Sequence, residues 1–148
     1  MSSPPPEDGI EESTTADLVE MTRSHIEAAN RHDLDAFMSA FAPDAVYDAS
    51  RDGVGVYQGP VAIRGLIGDW WGVFDELRLT PEEILDFGSG VVFLVLRHDA
   101  RPAGSTGYVT TRQAYVSSVV EGMIARVTVY GDVEEARAAA ERLAESRG

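Results

Sequence analysis

VVFLVLRHDARPAGSTGYVTTRQAYVSSVVEGMIARVTVYGD, residues 91–132, is the stretch on which the fold turns. β-Branched and aromatic residues fill three runs, separated by turn chemistry at Arg101-Pro102-Ala103-Gly104-Ser105 and at Glu121-Gly122, and this pattern predicts an antiparallel meander. A two-residue turn at Glu121-Gly122 pairs Val120 with Met123, and strict alternation then sorts the side chains onto two faces. Arg112, Ala114 and Val116 fall with Val127, Val129 and Gly131 on a face that is apolar apart from the arginine. That face is assigned to the core and a pocket. Gln113, Tyr115 and Ser117 fall with Arg126, Thr128 and Tyr130 on a polar and aromatic face, the mixture found at interfaces, which is assigned to a homodimer partner.

Outward from the meander, residues 1–13 are rich in Pro, Ser and Glu with little to bury, which predicts a disordered tail and one domain over 14–148. Thr14 and Asp17 form an N-cap signal for a helix whose stripe is Leu18, Met21, Thr22, His25, Ile26 and Ala29. Asp33 caps a short second helix through Leu34, Phe37, Met38 and Phe41, which Pro43 ends. Asp44 to Ala49 reads as a strand and Ser50 to Gly55 as a mobile loop. Gly59-Pro60 opens a third helix that points Trp70 inward and Trp71 obliquely. Leu77 to Phe87 is a further strand broken by Pro81, and Asp132-Val133-Glu134-Glu135 caps a terminal helix.

With 148 residues the chain suits one domain, and its net charge of -13 argues against nucleic acid or an anionic membrane as partner. Without cysteine there is no disulfide or thiolate metal site, and all 12 basic residues are arginine, so no lysine Schiff base exists. No apolar run approaches a membrane span and no signal peptide is evident, which predicts a cytoplasmic protein. The three histidines lack ligand spacing, and phosphate-loop, GxSxG and GxGxxG motifs do not occur. No metal or cofactor is expected.

The segments EAANRHDLDAFMSAFAPDAVY, VYQGPVAIRGLIGDWWGVFDELRLTPEEILD, the GSTG hairpin tip and VEGMIARVTVYGDVEEARAAAERL together resemble the SnoaL-like branch of the nuclear-transport-factor-2-like superfamily over residues 14–145. The resemblance implies an α+β fold, a cone-shaped curved antiparallel β-sheet wrapped around N-terminal helices with a C-terminal helix, one open apolar pocket and a homodimer. Family members include polyketide cyclases, ketosteroid isomerase, limonene-epoxide hydrolase and proteins without known catalysis, so the fold leaves the reaction open. At the isomerase's aspartate base this chain carries Ala49, with Asp48 on the opposite strand face. At the epoxide hydrolase's last-strand aspartate it carries Val129.

Four residues are candidates for chemistry. Arg112, a guanidinium on an apolar face, suits a carboxylate, phosphate or enolate-like oxygen, the alternative being an internal pair with Asp48, Asp99 or Asp132. Tyr47 matches a pocket tyrosine of the epoxide hydrolase and suits donation to a substrate oxygen; the alternative is an aromatic filling the cone's mouth. Asp48 or His25 would move a proton, while a core histidine is the bland reading of the latter. The pocket set is Tyr47, Trp70, Arg97, Arg112, Val127 and Val129. The expected function is to bind a small apolar or polyketide-like metabolite, with cofactor-free cyclisation, isomerisation or hydration as its chemistry. The alternative is a non-catalytic homodimeric ligand-binding or accessory domain.

Overall fold

Glu121 and Gly122 both adopt positive φ, 53° and 80°, the backbone a two-residue hairpin turn requires, and around them the three meander strands form. The computed structural model describes residues 15–147; the expected tail and the Thr14 cap lie outside them. The meander strands are β4 (Val91–Pro102), β5 (Val109–Val120) and β6 (Met123–Tyr130), preceded by β1 (Phe41–Ala49), β2 (Gly55–Gln58) and β3 (Phe74–Gly88). They form one sheet in the order β2-β1-β6-β5-β4-β3. Its pairings are antiparallel except β1 with β6, which run parallel, an exception to the expected antiparallel sheet.

Helices α1 (Thr15–Asn30), α2 (Leu34–Met38) and α3 (Pro60–Gly72) fill the concave side, where Ile26, Ala29, Phe37, Ile63 and Ile67 pack on Leu79, Leu94, Leu96, Val127 and Val129. Helix α2 ends at Met38, so Phe41 and Pro43, expected to close it, lie instead in β1. Asp33 Oδ1 accepts from Ala36 N at 3.1 Å to cap α2, and Pro60 opens α3 where a missing N–H costs nothing. Asn30 at the end of α1 donates to Leu79 O at 2.9 Å and accepts from Leu79 N at 2.8 Å, thereby satisfying backbone groups on the free edge of β3.

The outer face carries α4 (Val133–Arg147), whose start is capped by Asp132 Oδ1 accepting from Glu135 N at 3.0 Å. Fully buried Ala136 and Ala140 let α4 lie close on Val91, Phe93, Val95, Ala114, Val116 and Tyr130. The molecule therefore has two apolar layers, one on each side of the sheet. That explains why the first half of β4 is apolar on both faces.

Three local expectations are corrected. Pro81 does not end β3; the strand continues through a bulge between Pro81 and Glu83, the irregularity at which a missing N–H is tolerated. Ser50 to Asp52 form a 3-10 turn rather than a mobile loop, and Gly55–Gln58 is an unforeseen edge strand. Trp71 is the deeply buried indole at 8% exposure, and Trp70 is half-buried.

The largest correction concerns the face assignment. Val120 pairs with Met123 and Val119 with Ile124, but Ser118 pairs with Arg126, which leaves Ala125 as the extra residue of a bulge. One inserted residue changes the parity of everything beyond it. Tyr115 and Ser117 thus share the inner face with Val127 and Val129, while Ala114 and Val116 go under α4. The six residues assigned to a dimer partner do not form one surface: Gln113, Tyr115 and Ser117 line interior space, and Tyr130 is buried in the layer beneath α4.

Candidate functional site

The concave layer is not fully packed. Between α1, α3 and the sheet lies an inner chamber of about 60 Å³, which opens toward an outer chamber of about 210 Å³ near the end of β1. Tyr47, Ile67, Trp70 and Tyr115 border both chambers. The inner chamber is apolar apart from Thr22, His25 and Ser117 at its wall, and the outer one adds Asp52 and Gln113. Each chamber is smaller than the ~300 Å³ at which pockets for drug-sized ligands begin.

β1 aims Tyr47 inward because Ala45 and Ala49, two residues to either side, are buried in the same layer. Among the described residues its hydroxyl makes no hydrogen bond. Burial, and then the charge of Asp52, push its phenol pKa above the ordinary value, so it stays a donor. Asp52 comes from the 3-10 turn that follows β1. Gly53, in the left-handed region at φ 78°, closes that turn, and Asp52 Oδ2 accepts from Gln113 Nε2.

Tyr115 continues this polar line into the fold. Its hydroxyl lies 3.1 Å from His98 Nε2 and 3.4 Å from Gln113 Oε1. Tyr115 donates to His98 when that ring carries its proton on Nδ1, and accepts when it carries it on Nε2. Burial lowers the His98 pKa to about 4 against the opposing charge of Asp99, so the ring is neutral near pH 7. A chain of contacts thus runs from His98 through Tyr115 and Gln113 to Asp52, in reach of the cavity's mouth.

His25 stands at the opposite, deep end. Its ring stacks on Phe37 at 4.0 Å and meets Phe41 edge-on at 5.5 Å, and burial lowers its pKa to about 4. Nδ1 is sealed from solvent and has no hydrogen-bond partner among the described residues. A polar atom left unpaired in an interior costs about 1–3 kcal/mol, so such an atom calls for an explanation.

The structure gathers Tyr47, His25, Trp70, Val127 and Val129 at the cavity and separates the other candidates from it. Arg112 lies on the outer face as a two-point ion pair with Glu82, a partner the sequence did not point to. Arg97, its partner across β4 and β5, pairs with Asp99 at 3.0 Å. Asp48 accepts from Ser50 N and Oγ at 3.0 and 2.6 Å and holds Arg126 at 2.8 Å; the Ser50 hydrogen bonds, with Arg126 beside them, lower its pKa. The bulge at Ala125 is the common cause for Arg112, because it turns β5 over relative to β6.

Asp52, Gln113, Tyr115 and His98 were missed as site residues. One signal was present: Ile124 and then Val127 and Val129 change parity along β6, which is how a bulge is written in an apolar pattern. The other was Asp52-Gly53, a pair typical of a tight turn. Among the described residues no group of three or more His, Cys, Asp or Glu could hold a metal ion, and no helix is long and apolar enough to cross a membrane.

The model of the SnoaL-like domain matches residues 22–127. The chain belongs to the SnoaL-like domain family. Its cone matches that of TerC crystallised with polyporic acid, with 15% identity over 84% of this chain and 98% of the other and a TM-score of 0.69. It is similar to a Mycobacterium tuberculosis LEH-like epoxide hydrolase at 18% identity over 86% and 92% of the chains, TM-score 0.66. An NTF2-like protein of unknown function from Burkholderia pseudomallei is similar at 20% identity over 80% and 93%, TM-score 0.69. Comparison with curated proteins finds no match. At these identities the likeness shows the fold of this SnoaL-like chain and leaves its chemistry to its own residues.

Proposed function

We propose that this SnoaL-like protein binds a small, mostly apolar ketone or related oxygenated metabolite and moves a proton beside its carbonyl without a cofactor. The observation that carries this reading is the Tyr47 hydroxyl, which makes no hydrogen bond among the described residues and belongs to a side chain bordering both chambers. A ligand oxygen placed there receives a hydrogen bond that strengthens as an enolate develops. Asp52 supplies the carboxylate that Ala49 and Val129 do not. It takes the proton from the carbon next to the carbonyl, the electron pair moves onto the oxygen facing Tyr47, and Asp52 returns the proton to a carbon of the ligand. The Gln113 amide leaves Asp52 one oxygen for this work, since it holds only Oδ2. His25, neutral and without a hydrogen bond, accepts from a hydroxyl at the ligand's buried end.

Support comes from the apolar lining, the neutral interior donors and the family's fold. The test is exchange of the methyl protons of acetophenone into D2O, followed by NMR. The protein should accelerate it above buffer, and Tyr47→Phe and Asp52→Asn should each lower the rate at least tenfold with an unchanged circular dichroism spectrum. Acceleration unaffected by either substitution would remove their roles. A second reading, binding without catalysis, is favoured by the exposed position of Asp52; it predicts acetophenone binding with no exchange above buffer.

A further inference from the structure

The two chambers are small for the elongated ligands an apolar lining this long would suit, and the reason lies in one side chain. A third cavity of about 450 Å³ lies beside Trp70, between the end of α3 and the β4–β5 ends; Phe74, Leu77 and Val109 form its apolar wall, and His98, Arg112 and Gln113 its polar one. Trp70 is the residue common to the inner chamber, the outer chamber and this third space. Its indole meets two aromatic neighbours. It stands perpendicular to Phe74 at 6.2 Å and tilted on His98 at 5.5 Å, and among the described residues no hydrogen bond fastens its N–H. Buried indoles ordinarily find an acceptor, so a half-buried one without it turns at low cost.

The helix that carries the indole is rich in glycine. α3 spans 13 residues and includes Gly65, Gly68 and Gly72, each unfavourable in a helix relative to alanine, and Trp70 sits in its last turn. Trp71 beside it is buried against Phe37 and His32, so the two neighbouring indoles divide the work of anchoring the helix and bordering the cavity.

We propose that Trp70 is the specificity-determining partition of this site: when it turns, the three chambers join, and the ligand is an elongated apolar ketone whose oxygen rests at Tyr47 and whose tail lies past the indole. This rests on the reading of the cavity as a ligand site. Short ligands bind with the partition closed, whereas long ones bind only with it turned.

Calorimetry with 4-alkylacetophenones from methyl to hexyl tests it on the full chain. Affinity for the native protein should rise with length, then break where the tail meets the indole, while Trp70→Ala should continue to gain about fourfold per methylene. The hexyl compound should then bind the variant at least tenfold more tightly than the native protein. Trp70→Phe, the more conservative change, should place the break at an intermediate length, and Trp71→Phe, which leaves Trp70 as the single indole, should shift its emission with the hexyl but not the methyl compound. The same break in native protein and both Trp70 variants, or an emission that does not respond to the hexyl compound, would overturn the partition while leaving the ligand site standing. Binding of no member to any of these proteins would overturn both.

Discussion

The two faces of the sheet are built from the same strands yet follow different electrostatic rules. On the outer face the arginines are matched: Arg97 with Asp99, Arg112 with Glu82, Arg126 with Asp48 and Arg137 with Glu83, all within reach of water. On the inner face the polar groups are neutral, namely His25, His98, Tyr47 and Tyr115, with their pKa values moved by burial toward the uncharged form. Charge is kept where it is cheap to solvate, and interior polarity is confined to groups that carry no charge near pH 7. Among the described residues the cavity lining accordingly offers neutral donors, with the Asp52 carboxylate brought to the rim by a turn.

The sharpest way to break this division is to change the residue count at the bulge. Inserting one alanine after Ala125 should turn Arg126, Thr128 and Tyr130 inward, with loss of cooperative urea unfolding and of near-ultraviolet circular dichroism, whereas deleting Ala125 keeps Ser118 opposite Arg126 and should leave both faces as they are. A smaller break removes the outer layer's largest fully buried side chain. Phe93→Ala, which also strips the ring beneath Arg137 at 4.7 Å, should cost about 3–5 kcal/mol in urea unfolding, while acetophenone binding changes little.

Acid separates the faces next. His25 and His98 have folded-state pKa values near 4 against an ordinary 6.5, so the unfolded chain binds protons first as pH falls. Stability should be flat above pH 6.5, fall through the interval from 6.5 to 4 by at most ~1.4 kcal/mol per pH unit for each histidine, and level off in this contribution below it. The outer carboxylates Asp48, Glu82 and Asp99, whose pKa values are lowered, keep their contribution through that window and lose it at lower pH. Urea unfolding at pH 7 and pH 5 for the native protein and for His98→Gln tests this, the variant showing the shallower fall. The smallest effect belongs to Arg112→Ala: an exposed pair contributes about 0–1 kcal/mol, and acetophenone exchange should be unaltered because the guanidinium faces away from Tyr47.

Much of the chain could be read without coordinates where a local pattern and its tertiary use coincide. The stripe from Leu18 to Ala29 makes α1, Asp33 and Asp132 cap the helices they precede, and Glu121-Gly122 makes the turn it spells. Reading failed where one residue has a non-local consequence. Ala125 has no property that marks it as a bulge; it is extra only relative to β5, so the error at Arg112 followed from a count, not from a mistaken propensity. Asp52 is exposed, and its hydrogen bond with Gln113 was not legible because the two stand 61 positions apart in sequence.

The sequence by itself determined most of the helices and strands, the absence of thiol and lysine chemistry and the inward position of Tyr47, since those follow from periodicity, turn residues and composition, and its segments carried the family resemblance. Only the tertiary structure decided which face each β5 residue occupies, that Glu82 claims Arg112, that Asp52 stands at the rim beside Gln113, and that Trp70 borders three cavities. Those features arise from pairing register and from side chains converging from distant strands, and pairing energy is not written in either strand alone.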